Sequence, residues 1–421
     1  MFSGKTPYNS NMQINLTNKT ILLGVTGSIS AYKACDLARL FIKAGATVYV
    51  VMTASAERFV SALTFEALTR NPVLTEKSES WATTVNHIDI GKICDIFVLS
   101  PATANSINKI ANGIADNILL QTILALSKPL LIAPAANTNM IEDSSTLDSL
   151  QTLKKRGVNI VNSQSKLLAC GDTGNGALAE PQEIFYQTAK ILLLESYWED
   201  REVLITGGGT REKIDEVRYV SNFSSGKMAN ALATALYLKG AKVSLISSKE
   251  HKEIPLQIHT INVHSAQEMQ MQTLATLKGV LSTKNSLKKP FLFMAAAVAD
   301  FTPKFPNKGK TKKVTIGKEW NIEMKQTDDI LKTVNNLGQI TIGFKAEMDK
   351  EKGFSNAKSL IENKNIDGVC YNLLADSSAF GTADNSIIFI TKENSINLGQ
   401  ASKLDLSFKI LEQSQKLEPT Q

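Results

Sequence analysis

Two doubly wound, Rossmann-like α/β domains are predicted by three features of the sequence. At 421 residues the chain is longer than one ordinary core fills. The order strand, glycine turn, helix occurs twice, over residues 20–45 and 202–240. Short, uniformly apolar segments follow each opening and run into small polar residues, as parallel strands buried on both faces do.

The first opening reads TILLGVTGSISAYKACDLARLFIKAG. An apolar strand meets a glycine turn, and Leu37, Leu40, Phe41 and Ala44 then share one helical face. Gly45 is placed as a helix stop, and ATVYVVMT follows as the second strand of a βαβ unit. CDIFVLSPA and KPLLIAPAA continue as buried strands. QEIFYQTAKILLLESYWEDRE reads as a closing helix with a charged hinge near residue 200. The second opening, EVLITGGGT, leads through a long polar loop to SSGKMANALATALYLKGAKVSLIS. There Met228, Ala231, Leu232, Ala235 and Leu236 form the expected buried stripe and Gly240 the stop. PFLFMAAAVAD and QITIGF complete the parallel strands, and the tail EQSQKLEPTQ is expected to fray. In such folds ligands bind at the carboxyl ends of the strands.

Composition narrows the function classes. The chain is 43% hydrophobic and 20% charged, an ordinary globular balance. A net charge of +6, much of it in KGKTKK at 308–313, does not imply nucleic-acid binding but suits phosphorylated small molecules. Cys35, Cys94, Cys170 and Cys370 show no Cys-x-x-Cys spacing, which argues against a zinc knuckle or a disulfide framework. The polar start lacks an apolar signal core, and the most apolar region is broken by Lys128 and Pro129. A cytoplasmic protein with no membrane partner is expected.

Neither GVTGSISA nor TGGGTRE has Gly-x-Gly-x-x-Gly spacing, which disfavours a nicotinamide site. SNFSSGKM falls short of a P-loop, because Ser221 and Met228 stand where a glycine and a Ser/Thr are needed. Glycine or serine turns at helix starts still invite phosphates, although plain strand–helix turns look the same. His87, the one histidine before residue 250, is the candidate base of the first half, and Asn137 is placed to hold a carboxylate or carbonyl. Cys170 in LLACGDTGNGALAE remains open between disulfide half, metal ligand, core residue and reagent.

In order, GVTGSISAYK, MTASAERF, NHIDIGK, SPATAN…GIAD, PAANTNM and ACGDTG resemble the flavin-dependent cysteine decarboxylases. ITGGGTREKIDEVRYVSNFSSGKM, AAAVADF, KGKTKK, GFKAE and KNID resemble phosphopantothenoylcysteine synthetase. The fused order is similar to the bifunctional bacterial enzymes of coenzyme A biosynthesis and covers about residues 19–415. The resemblance implies a decarboxylase domain at 19–195 that uses FMN and a CTP-dependent ligase domain at 200–415. The substrates implied are 4′-phosphopantothenate, L-cysteine and CTP, joined through an acyl cytidylate with Mg²⁺. Phosphopantothenoylcysteine is then oxidised to a thioaldehyde, decarboxylated and reduced to 4′-phosphopantetheine.

For the residues, the resemblance assigns His87 to the oxidation stage, Asn137 to the substrate carboxylate and Cys170 to proton donation in the final reduction. Gly27, Ser28, Thr53, Ser55, Ser100 and Thr103 fall in segments that surround FMN. Asn222 matches the acyl-cytidylate step and Lys310 the catalytic lysine. Ala295, Ala296, Ala297, Asp300, Phe344 and Lys364 match the nucleotide site, with Asp300 a candidate near the metal. Trimeric decarboxylase and dimeric ligase contacts, closing into a dodecamer, are the assembly implied. Departures from the usual pattern are Ala136 for a methionine, Ala177 and Leu178 for Arg-Met, Glu216 for a proline, Met348 for a threonine and Leu360 for a lysine. These bear on the grip on the substrate phosphate and on the preference for CTP. A flavoprotein acting on peptide C-terminal cysteines is opposed by the full synthetase pattern. A regulatory binding protein would not require His87, Asn137 and Cys170 together.

Overall fold

A computed structural model describes residues 13–82, 86–167, 173–251, 254–282, 288–335, 337–349, 352–373 and 384–418. The described chain divides into two compact units, one within Ile14–Leu193 and one from Leu194 onward.

In the first unit β1 (Thr20–Val25), β2 (Thr47–Met52), β3 (Val73–Leu74), β4 (Ile96–Ala102), β5 (Leu130–Pro134) and β6 (Asn159–Ile160) form one sheet. Its order is β3-β2-β1-β4-β5-β6 and every pairing is parallel. The chain leaves β1 to one side for β2 and β3, then returns to its other side at β4. That reversal opens a crevice beyond the carboxyl ends of β1 and β4. The helix Lys33–Lys43 buries Ala34, Leu37, Ala38 and Phe41, whereas Leu40 is half-buried. Its buried face is thus turned slightly from the stripe read in the sequence, and Phe41 packs on Phe185 of the helix Pro181–Leu193 at 5.7 Å between centroids. Leu22, Phe97, Leu99, Ile107 and Ile132 centre the core on the other face. An antiparallel hairpin, β7 (Gln164–Leu167) and β8 (Thr173–Ala177), lies outside the main sheet.

The second unit starts with β9 (Glu202–Gly207) and a ribbon of β10 (Arg211–Lys213) with β11 (Tyr219–Ser221). β12 (Lys242–Ser247), β13 (His259–Asn262) and β14 (Phe291–Met294) follow, then a ribbon of β15 (Phe301–Pro303) with β16 (Met324–Gln326). β17 (Ile340–Glu347), β18 (Gly368–Leu373), β19 (Asp384–Ile390) and β20 (Ser395–Ser402) complete an eight-stranded sheet, ordered β13-β12-β9-β14-β17-β18-β19-β20. The run from β13 to β18 is parallel and repeats the reversal, here between β9 and β14. β18–β19 and β19–β20 are antiparallel, an extension that the apolar-run pattern did not anticipate.

Three local readings change. The helix Lys227–Leu238 is buried continuously from Ala231 to Leu238, because the helix Lys403–Gln415 covers the face turned away from the sheet. Met228, expected in the stripe, is only half-buried and lines a cleft. The charges near residue 200 and the C-terminal tail form one clasp: Arg201 donates to Glu418 Oε2 at 2.8 Å and to the Lys289 carbonyl at 2.7 Å, and lies 4.1 Å over the Tyr197 ring. A buried guanidinium requires such partners, so the tail is held as far as Glu418. Among the described residues no helix is long and apolar enough to cross a membrane.

Candidate active sites

In the first unit, backbone groups and short hydroxyls converge at the β1/β4 crevice. Thr26, one residue past β1, donates its hydroxyl to the Pro101 carbonyl at 2.6 Å and accepts from Thr103 N–H at 3.1 Å. This buried threonine zips the two strand ends together, a role that sequence reading missed. Ser28, Thr53 and Thr103 each cap the start of a short helix, accepting from Ser30, Ala56 and Ser106 N–H respectively. Gly27 is required by close approach: a Cβ there would sit 2.5 Å from the Ser55 Cβ. Ser100, in β4, is 1% exposed, and its Oγ has no hydrogen-bond partner. A buried hydroxyl without a partner costs free energy.

The remaining candidates of this unit lie on later segments of the chain. Asn137 follows β5 and caps the helix Thr138–Glu142, accepting from Asn139 N–H at 3.0 Å. The β7–β8 hairpin packs on this segment: Ala136 N–H donates to the Gly176 carbonyl at 3.0 Å. Gly176 has φ +133°, and a Cβ there would meet the Ala136 oxygen at 2.3 Å. Cys170 itself lies outside the described residues, between the paired Leu167 and Thr173. Leu178, a departure from the family pattern, is a core residue at 2% exposure. His87 lies between β3 and the helix Asp89–Ile93, with Nδ1 2.6 Å from Glu79 Oε1. The described cysteines are packing groups: burial raises the Cys35 and Cys370 thiols and pushes Cys94 up to about 11.

The second unit carries a cleft of about 900 Å³ at the carboxyl edge. Asn222, Ala295, Ala296, Ala297, Asp300, Phe344 and Lys364 all line it. The alanine loop is clamped from both sides, Ala297 N–H donating to the Gly208 carbonyl at 2.8 Å and Thr327 Oγ1 to the Ala299 carbonyl at 2.6 Å. Asn222 is held by its Nδ2–H to the Val298 carbonyl at 3.0 Å. Lys364 is ion-paired with Asp329, which also caps the helix Ile330–Val334. Leu360 lines the same cleft.

Two cleft features were absent from the sequence reading. Asp329 is one, since its partner lies 35 positions away. Lys403 is the other, a lysine 8% exposed that donates to Asn385 Oδ1 at 3.2 Å. Burial, and then the charge of Lys227, hold its ammonium below the usual lysine range.

Lys310 is not among the cleft residues. It lines a separate shallow pocket with Lys308, Lys312 and Trp320. That loop is tethered to the turn leading into β11: Arg218 donates to the Thr311 carbonyl at 2.9 Å and Thr311 N–H to Asp215 Oδ2 at 3.2 Å. Arg218 also lies 4.3 Å over the Trp320 ring and pairs with Asp215, whose carboxyl it holds well below the ordinary carboxylate range.

The geometry therefore defines a two-unit α/β protein, with clustered helix starts at the β1/β4 crevice of one unit and a cleft of about 900 Å³ in the other. A family model described as Flavoprotein matches residues 9–193, and one described as DNA/pantothenate metabolism flavoprotein C-terminal domain matches residues 198–417. The chain is 39% identical over 406 residues to the coenzyme A biosynthesis bifunctional protein CoaBC of Bacillus subtilis, covering 94% of this chain and 97% of that one. It is 35% identical over 412 residues to CoaBC of Vibrio parahaemolyticus, covering 96% and 99%. A solved C-terminal domain of a CoaBC protein is 30% identical, with a TM-score of 0.43, over 53% of this chain and 98% of that chain. The chain belongs to the family of coenzyme A biosynthesis bifunctional proteins CoaBC.

Proposed function

We propose that the chain catalyses two consecutive steps of coenzyme A biosynthesis. The second unit joins L-cysteine to 4′-phosphopantothenate at the expense of CTP, and the first converts phosphopantothenoylcysteine to 4′-phosphopantetheine with FMN. The observation that carries this reading is the match to bifunctional CoaBC proteins over nearly the full length of both partners.

The first unit fits FMN. Ser100 Oγ is a buried group awaiting a partner, and the Gly27–Ser55 approach, together with the helix starts at Ser28, Thr53 and Thr103, offers backbone N–H groups to a phosphate. When bound, the flavin supplies a two-electron acceptor and then returns the pair. The protein's own work is to position substrate and move protons. Asn137, fixed by its cap, holds the substrate carboxylate, and His87 accepts a proton at the oxidation stage. Cys170, outside the described residues, donates the final proton; the described thiols are held protonated by burial.

In the second unit the alanine loop and Phe344 form the wall for the nucleotide, with Asp300 toward its sugar and Lys364 among its polar contacts. Asn222 stabilises the acyl cytidylate, and Lys310 closes on the triphosphate from its own loop. Mg²⁺ would be carried by the phosphates, with Asp300 the carboxylate at hand. Exposed Val217, Tyr219, Phe223, Phe301 and Phe305 support association between copies through this unit. A cytoplasmic location accords with these small-molecule substrates.

The test is mass spectrometry of a mixture of chain, FMN, 4′-phosphopantothenate, cysteine and Mg²⁺ with CTP or ATP. Phosphopantetheine is expected with CTP. Accumulation of phosphopantothenoylcysteine would leave only the ligase standing, no product with either nucleotide would overturn the ligase, and failure to convert supplied phosphopantothenoylcysteine would overturn the decarboxylase.

A further inference from the structure

His87 has two ring nitrogens, and only one of them can face the reaction in its proposed proton-transfer role. Glu79 decides which. Its Oε1 lies 2.6 Å from His87 Nδ1 and accepts the His87 backbone N–H at 3.3 Å, so one carboxylate oxygen grips the residue at two points. A carboxylate can only accept, so the facing ring nitrogen carries the proton and Nε2 of the neutral ring keeps its lone pair.

The grip is rigidly mounted. Directly after β3, Ser78 Oγ donates to the Val73 carbonyl at 2.7 Å and accepts Thr75 N–H at 2.8 Å. Glu79 N–H closes the turn on the Thr75 carbonyl at 3.2 Å. Glu76 of the same turn accepts Ile118 N–H at 2.7 Å and so pins it to the helix Ile118–Leu124. On the other side Asn86, 1% exposed, accepts the N–H groups of Ile88 and Asp89 at 3.1 and 2.9 Å, which fixes the backbone that carries the imidazole. Trp81 stands edge-on to the ring at 5.6 Å. The Glu79 and His87 side chains are 24% and 20% exposed, well short of a solvated surface pair.

We propose that Glu79 is a positioning residue for the decarboxylase half: it holds His87 in the Nδ1–H tautomer and presents Nε2 as the proton acceptor. This rests on the decarboxylase reading of the first unit.

The experiment uses the full-length, FMN-loaded chain with ¹⁵N-labelled histidine. There are four histidines in the sequence, so the ring signals are few. In the wild type His87 gives the Nδ1–H pattern. In Glu79→Leu it moves to the Nε2–H form that a free imidazole prefers, whereas Glu79→Gln, whose amide oxygen still accepts, keeps Nδ1–H. With supplied phosphopantothenoylcysteine, Glu79→Leu lowers kcat about 10- to 100-fold with KM within about twofold, a share of what a positioned acid–base group contributes. Glu79→Gln recovers most of the rate, while flavin absorbance and CTP-dependent pyrophosphate release stay at wild-type levels in both variants. An unchanged tautomer or unchanged kcat in Glu79→Leu would overturn the proposal, and so would loss of bound flavin, which marks a structural role. If the tautomer switches as expected but the wild type decarboxylates nothing, the positioning is supported and the decarboxylase reading fails.

Discussion

Gly176→Ala tests whether the hairpin that brackets Cys170 is seated on the Asn137 segment. An added Cβ would lie 2.3 Å from the Ala136 carbonyl oxygen, where ordinary contact begins at 3.4 Å. The obstacle is backbone, so β8 must retreat by about 1 Å, and a misplacement of that size costs roughly 100-fold in turnover. Backbone strain at φ +133° and the weakened Ala136–Gly176 hydrogen bond together cost about 2–4 kcal/mol. In a unit of this size that lowers the thermal midpoint by roughly 5–15 °C. The assay is phosphopantetheine formation from supplied phosphopantothenoylcysteine, alongside flavin absorbance and calorimetry. Gly113→Ala is the control: its φ is +70° but nothing lies within 4 Å, so only conformational strain of about 1–2 kcal/mol is expected, with turnover kept. Wild-type turnover and midpoint in Gly176→Ala would refute the docking of the hairpin on Ala136.

Three further outcomes are expected. Ser100→Ala removes an unpartnered buried hydroxyl, so the flavin-free midpoint stays level or rises while FMN binds about 2- to 13-fold more weakly, as titration by fluorescence would read. Lys403 has a lowered folded-state pKa, so its charge opposes folding at neutral pH and the penalty fades as pH rises through that value toward about 10.4. Lys403→Met therefore raises the midpoint at pH 7, gains less in alkali and loses CTP affinity; equal losses of stability at both pH values would contradict this. Lys310→Ala abolishes CTP-dependent pyrophosphate release but leaves decarboxylation of supplied phosphopantothenoylcysteine intact, and loss of both in folded protein would count against two separate sites.

Much of the scaffold was legible because it rests on local rules. Gly45 and Gly240 occupy the left-handed conformation, at φ +88° and +96°, where the sequence placed helix stops. The apolar runs became parallel strands because burial on both faces demands continuous apolar residues. The tail, in contrast, is polar by composition yet held, because Glu418 answers a buried arginine 217 positions earlier. Helix Lys227–Leu238 looked one-sided because periodicity in one segment is silent about a second helix 165 residues downstream.

The sites divide along the same line. Asn222, Asp300 and Lys364 could be picked out from motifs, and each sits at or within a few residues of an element boundary: Asn222 follows β11, Asp300 precedes β15 and Lys364 ends the helix Gly353–Lys364. Glu79, Asp329 and Lys403 could not, because nothing in their immediate neighbours distinguishes them from solvated surface charges. What sets them apart is tertiary. Asp329 meets Lys364 only once the helix Ile330–Val334 lies beside the helix Gly353–Lys364, and Lys403 is buried only once β20 delivers it beside Asn385. Glu79 is the nearest case, eight residues from His87, yet the separation matches neither a helical turn nor a strand pair. The tight turn after β3 fixes Glu79, and the Thr75–Ser78 bonds that make it are ordinary side-chain-to-backbone chemistry. Each candidate group in this chain is thus read twice, once from the motif that proposes it and once from the folded geometry that decides how it is held.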